Sequence, residues 1–415
     1  MRNLIVLALG FVLMSASSAV LAGDKGKVRG VGLNDQARQE LIDAGANKYL
    51  GKFSPDSVHA IDGDWIRHQF TKNSQEGPLC INGSEYAVFT KGKDPTKLLI
   101  FLQGGGACWA NFPFCSFSVD GIPVLGQSDQ SPPQDVPTGI WRDDPSNPLS
   151  DYSIVYLPYC DGSVFIGDNQ LPLNPETDVS YPLPLFPDGI RYHRGLQNLS
   201  AGIDVAKDFF PDAHRVVVAG SSAGGVGASA FAPLLVRLAY GDEQQLSVIN
   251  DAGPVAVNLN GLGLLTAQIR AADWKFSQFY PESCEECKAV GQGTALIKWR
   301  LDNDSTIREA FYSTDGDSTN RGFLFVPDQT QYRQLLLSEH GELHEAYPAR
   351  YKRFIVSGDD SHTALQLPRF YTATVDGVPL VDWVADFLKP GKRAYREKNR
   401  GQGPKKNSWV DLVEE

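Results

Sequence analysis

Positive charge is scarce in this chain of 415 residues: 38 Lys and Arg face 49 Asp and Glu, for a formal net charge of −11. That deficit excludes a general affinity for nucleic acid or for an anionic membrane surface. The one strongly basic stretch runs from Lys389 to Lys406 and is expected, with residues 389–415 as a whole, to form a solvated, mobile tail. Long apolar runs are scarce too. After the first two dozen residues none is long enough to span a bilayer, so no stable membrane insertion is expected of the rest of the chain. The opening stretch, MRNLIVLALGFVLMSASSAVLA, has a basic start, an apolar run and small residues ending at Ala22, the pattern of a signal peptide over residues 1–22. A second Cys-x-x-Cys to complete a zinc cage beside Cys284-Glu-Glu-Cys287 is lacking. The same holds for an internal repeat, and for a glycine loop followed by Lys-Ser or Lys-Thr that would cradle a nucleotide phosphate.

Hydrophobic residues make up 42% of the chain, the composition of a folded protein with a large core. The six cysteines, Cys80, Cys108, Cys115, Cys160, Cys284 and Cys287, are an even set that an exporting chain would oxidise, with Cys284 and Cys287 as a local staple. Continuous apolar runs at 97–102, 152–159, 214–220, 246–251, 322–327 and 352–358 read as strands covered on both faces, and helical spacing appears at 195–210 and 225–240. This alternation predicts a single α/β domain over residues 23–388, a mostly parallel sheet with helices on both sides and ligands bound at the carboxyl ends of its strands. Residues 120–148 and 169–190, rich in Pro, Gly and polar side chains, are expected to be lid-like loops or substrate walls.

The chemistry is concentrated where strands end. RVVVAGSSAGGVGAS, residues 215–229, holds Gly220-x-Ser222-x-Gly224, the small-residue turn that lets a nucleophilic serine stand clear between a strand and a helix. Gln103-Gly104-Gly105-Gly106 follows the strand at 97–102, so the N–H groups of Gly105 and Gly106, with that of Ala223, are candidate donors to an oxyanion. A serine needs a base. His340 and His344 lie four apart in a charged helical segment that reads as a solvated face, whereas His362 follows a buried strand and a turn, and is the candidate base. For the acid, Asp328 after the run at 322–327 is favoured and Asp251 is the alternative. Asp359 and Asp360 lie too close to His362 in sequence, and Asp315 and Asp317 sit in a polar loop.

Taken together, FLQGGGACW, NPLSDYSIVYLPYCDGSVFIGD, HRG, GSSAGGVGA, NDAGP and GDDSHTAL, within a likeness that spans roughly Leu79 to Leu365, resemble the pectin acetylesterase family, which includes the Notum carboxylesterases. Tyr159-Cys-Asp-Gly162 is nearer the pectin acetylesterase branch, and Ser221 stands where relatives often carry Cys. The resemblance implies an α/β-hydrolase fold with Ser222 as nucleophile, Asp328 as acid and His362 as base, and with Asp251, Trp109 and Asp161 lining the site. It further implies a secreted or periplasmic serine esterase, with no metal or organic cofactor, that removes O-acetyl groups from an extracellular polysaccharide such as pectin. An esterase for lipid, aryl or polyester acyl groups, and a non-catalytic carbohydrate-binding relative, are the other readings.

Overall fold

The computed structural model describes residues 32–72, 76–110, 118–119, 122–123, 131–133, 138–176, 178, 186–254, 259–289, 293–389 and 409–414. The expected signal peptide and most of the basic tail lie outside these residues.

Ten strands form one sheet: β1 Ser57–Ile61, β2 Trp65–Phe70, β3 Tyr86–Lys91, β4 Asp94–Leu102, β5 Tyr152–Leu157, β6 Arg215–Ser221, β7 Gln245–Asp251, β8 Arg308–Thr314, β9 Tyr351–Val356 and β10 Leu412–Val413. Their spatial order is β1-β2-β3-β5-β4-β6-β7-β8-β9-β10. The first three strands and β5 pair antiparallel, and from β5 onward every pair is parallel. Apolar side chains alternate to both faces: Leu98, Ile100 and Leu102 of β4 enter one core, and Leu99 and Phe101 enter the other. Burial on both faces is why the strands read as unbroken apolar runs.

Among the described residues ten helices complete the fold: α1 Asp35–Asp43, α2 Gly195–Phe209, α3 Ala223–Ser229, α4 Ala232–Tyr240, α5 Gly261–Trp274, α6 Gly293–Asn303, α7 Ser318–Leu324, α8 Gln329–Ala346, α9 Arg369–Thr372 and α10 Leu380–Leu388. Side chains of α1, α2, α4, α6 and α8 fill the first core, and those of α9 and α10 fill the second. This is an α/β-hydrolase-like architecture. No single helix among the described residues is long and apolar enough to cross a membrane.

Four expectations change. Residues 322–327 are not a strand: they finish α7 and leave it through Phe325 in the left-handed region (φ 55°), with Leu324 and Val326 packed into the helix-side core. The strand next to β7 is instead β8, whose run Arg308–Thr314 was not singled out. The helical stretch after Ser222 is two helices, α3 and α4, bent by 46° at Ala230–Phe231. His340 is no solvated residue: it is buried, its ring stacks 3.8 Å from Phe311 and its Nδ1 lies 2.6 Å from the Tyr351 hydroxyl.

The chain's last described residues also depart from a mobile tail, since β10 pairs with β9 and Trp409 is buried against Trp383 and Phe387. Part of the expected lid has a bracing role: Ile140 N–H donates to Leu365 O, and the Thr138 hydroxyl to Gln366 O. Cys80 pairs with Cys160, tying the approach to β3 to the exit of β5, and Cys284 pairs with Cys287. Cys115 lies outside the described residues.

Candidate active site

The turn from β6 into α3 is as tight as its glycines predict. A Cβ on Gly220 would fall 2.2 Å from Gly224 O, and one on Gly224 only 2.0 Å from Leu102 O. Only glycine fits at such a crossing. Between them Ser222 takes φ 57° and ψ −121°, a strained conformation that costs on the order of 1–3 kcal/mol and persists only where surrounding structure enforces it. The enforcement is visible: Ser222 N–H donates to Asp251 O, and Ser222 O accepts from Val226 N–H.

Asp251, at the end of β7, is fully buried beneath this turn. One of its carboxylate oxygens receives the Ser221 hydroxyl at 2.5 Å and the Leu365 N–H at 3.0 Å, and the other receives the Ala364 N–H at 2.8 Å. Burial pushes its pKa up to about 6 against the pull of these donors. A single carboxyl thus joins the residue before Ser222 to the two residues that follow His362-Thr363.

His362 Nδ1 lies 2.7 Å from Asp317 Oδ2. The other oxygen of Asp317 caps α7 by accepting from Asn320 N–H at 2.8 Å, and the whole side chain is sealed from solvent. The loops carrying the two residues are zipped together: Thr314 Oγ1 donates to Ser361 O, Gly316 N–H to Asp359 O and Ser318 N–H to Asp360 O. A carboxylate on Nδ1 fixes the proton there and leaves Nε2 with its lone pair. That Nε2 is buried and has no hydrogen-bond partner among the described residues.

Asp328 does not meet His362. It is exposed, and its carboxylate accepts from Gln331 N–H as the cap of α8. The expectation placed the acid after a strand at 322–327. Because the strand is β8, the acid position falls in the loop Asp315–Asp317. Asp251, the alternative acid, is committed to the turn and the histidine loop.

The candidate oxyanion donors are divided. Gly106 (φ 79°) and Ala223 line a cavity together with Ser222, and no hydrogen bond to either N–H forms among the described residues. Gly105 sits one step back, where a Cβ would strike the Tyr159 ring at 2.5 Å. The cavity continues between helices over Val226, Phe231, Ala267, Phe276 and Leu296, an apolar wall.

The three residues expected to line this cavity stand behind its wall instead. Asp251 is under the turn, and Trp109 is buried edge-on to Trp274. Asp161 is buried and accepts from Ser163 N–H and hydroxyl, and burial raises its pKa to about 6. Asp251 and Asp161 each hold a loop through these hydrogen bonds.

Residues 62–256 match the pectinacetylesterase family model. That match covers the central part of the chain and supports a likeness to the pectinacetylesterase family. The match includes Gly104–Gly106, Ser222 and Asp251 and stops before Asp317 and His362, which the fold brings to the same end of the sheet. No curated protein matches the chain. The likeness supports an acetylesterase-type hydrolase of carboxylic esters.

Proposed function

We propose that this protein is a secreted serine esterase in which Ser222, His362 and Asp317 form the catalytic triad. The observation that carries the reading is the buried 2.7 Å contact of Asp317 with His362 Nδ1, at the end of the sheet where Ser222 stands in its strained turn. Ser222 Oγ attacks the ester carbonyl carbon while His362 Nε2 takes its proton. The carbonyl oxygen becomes an anion facing the N–H groups of Ala223 and Gly106. Collapse expels the alcohol, which takes the proton from Nε2 and leaves an acyl ester on Ser222. Water, deprotonated by the same nitrogen, attacks that ester, releases the carboxylic acid and restores the serine.

The favoured substrate is an O-acetyl ester on an extracellular polysaccharide such as pectin, a reading that draws on the family. Two disulfides suit an oxidising compartment and support export. The apolar cavity wall of Val226, Phe231 and Leu296 favours a second reading, an esterase for longer acyl chains. Hydrolysis of 4-nitrophenyl esters from acetate to long acyl chains, run beside Ser222→Ala, tests both. Rates falling steeply with chain length and abolished in the variant support the acetylesterase, and a long-chain preference supports the second reading. Equal rates in the two proteins overturn the serine mechanism.

A further inference from the structure

Among the described residues, the cavity beside Ser222 is lined by one cation. Arg270 projects from α5 into a lining that is otherwise mostly apolar. Its guanidinium lies 5.0 Å from the centre of the Trp109 ring and donates one hydrogen bond, from Nη1 to Phe323 O at 3.3 Å. The buried guanidiniums of Arg191, Arg237 and Arg300 each meet a carboxylate, of Asp178 and Asp273, of Asp304 and of Glu309. Arg270 forms no ion pair among the described residues, and the residue is largely buried while lining the cavity. Burial lowers its pKa to about 10, so it is still charged at neutral pH. A guanidinium has five donors in a planar fork that fits a carboxylate in two parallel hydrogen bonds, and here most of that fork is unused. Stacking on Trp109 fixes the fork's orientation, which cuts the entropy lost when an anion binds.

We propose that Arg270 is a specificity residue that binds a carboxylate carried by the ester substrate, on either the acyl or the alcohol side of the scissile bond. The inference rests on Ser222 as the nucleophile, because it is Ser222 that makes the cavity a substrate site. A protein of net charge −11 repels anions at long range, so a single oriented cation at the reacting centre is what admits an acidic substrate and ranks it above a neutral one.

Three esters separate the possibilities: 4-nitrophenyl acetate is neutral, 4-nitrophenyl hydrogen succinate carries its carboxylate on the acyl side, and 4-acetoxybenzoate carries it on the alcohol side. In Arg270→Gln the ratio of kcat/KM for one acidic ester to that for the neutral ester is expected to fall ~10- to 100-fold, the loss typical of a charged hydrogen bond. The acidic ester affected identifies the side. Arg270→Lys keeps the charge and is expected to recover part of that ratio, whereas a brace between α5 and Phe323 would depress all three esters alike. Binding of the corresponding unreactive anilides, acetanilide, succinanilate and 4-acetamidobenzoate, is measured on the same proteins. If no ester is turned over, the esterase reading fails, and weaker binding of an acidic anilide to Arg270→Gln still supports the carboxylate site. Unchanged ratios together with unchanged binding of both acidic anilides overturn it.

Discussion

Asp317 performs two tasks with two oxygens, capping α7 through Asn320 N–H and receiving His362 Nδ1. In the proposed mechanism burial makes the second task effective, since a carboxylate sealed from water interacts strongly with an imidazolium formed by proton transfer. Asp317→Asn keeps the cap and the shape but turns the histidine's tautomer. It should lower kcat on 4-nitrophenyl acetate by about a thousand- to ten-thousand-fold. Asp328→Ala should leave turnover intact and cost about 1 kcal/mol of stability in chemical denaturation, the loss of an exposed helix cap. The reverse pattern would return the acid role to Asp328. Ser222, His362 and the glycine run were legible because each follows an apolar strand and carries a local motif. Asp317 was not, because its polar loop resembles any other until β8 is recognised beside it.

At the scale of elements, the site is held by the Asp251 carboxyl, which joins β7 to the β6–α3 turn and to the loop after His362. A serine at 221 supplies the hydroxyl that completes this joint. Burial raises the folded-state pKa of Asp251 to about 6 from 3.8, so the fold binds a proton there more tightly than the unfolded chain does. The resulting stability is fully present below about pH 4 and is lost as pH rises through 6. Relative to Asp251→Asn, wild-type unfolding free energy should therefore fall by about 2 kcal/mol between pH 4 and pH 7. Parallel pH profiles for the two proteins would mean that Asp251 titrates alike in the folded and unfolded chains. The elements themselves were uneven to read. Strands β4 to β7 announce themselves because both faces are buried. The apolar run Phe323–Val326 suggests a strand equally well, yet its side chains finish a helix against the core, a tertiary outcome that local pattern does not encode.

Across the whole molecule, three of four neighbouring strands in the parallel half of the sheet carry the proposed triad: Ser222 after β6, Asp317 after β8 and His362 after β9, with Asp251 at the end of β7 between them. Neither the acid nor the base lies in the part of the chain that matches the family model. The chain's end reinforces the same edge, for Glu414 accepts from Ser357 N–H just before the histidine loop and β10 extends the sheet beside β9. That closure was hidden in the sequence, since a two-residue strand is recognisable only once Trp409 meets Trp383 and Phe387. The account therefore stands on one covalent event at one side chain. The most direct measurement is the intact and peptide mass of protein acid-quenched during turnover of 4-nitrophenyl acetate. One acetyl group on the peptide bearing Ser222, absent in Ser222→Ala and accumulating in step with a burst of nitrophenol, is the predicted result. Turnover with no acetylated peptide and no burst, or acetylation at a residue other than Ser222, would contradict it.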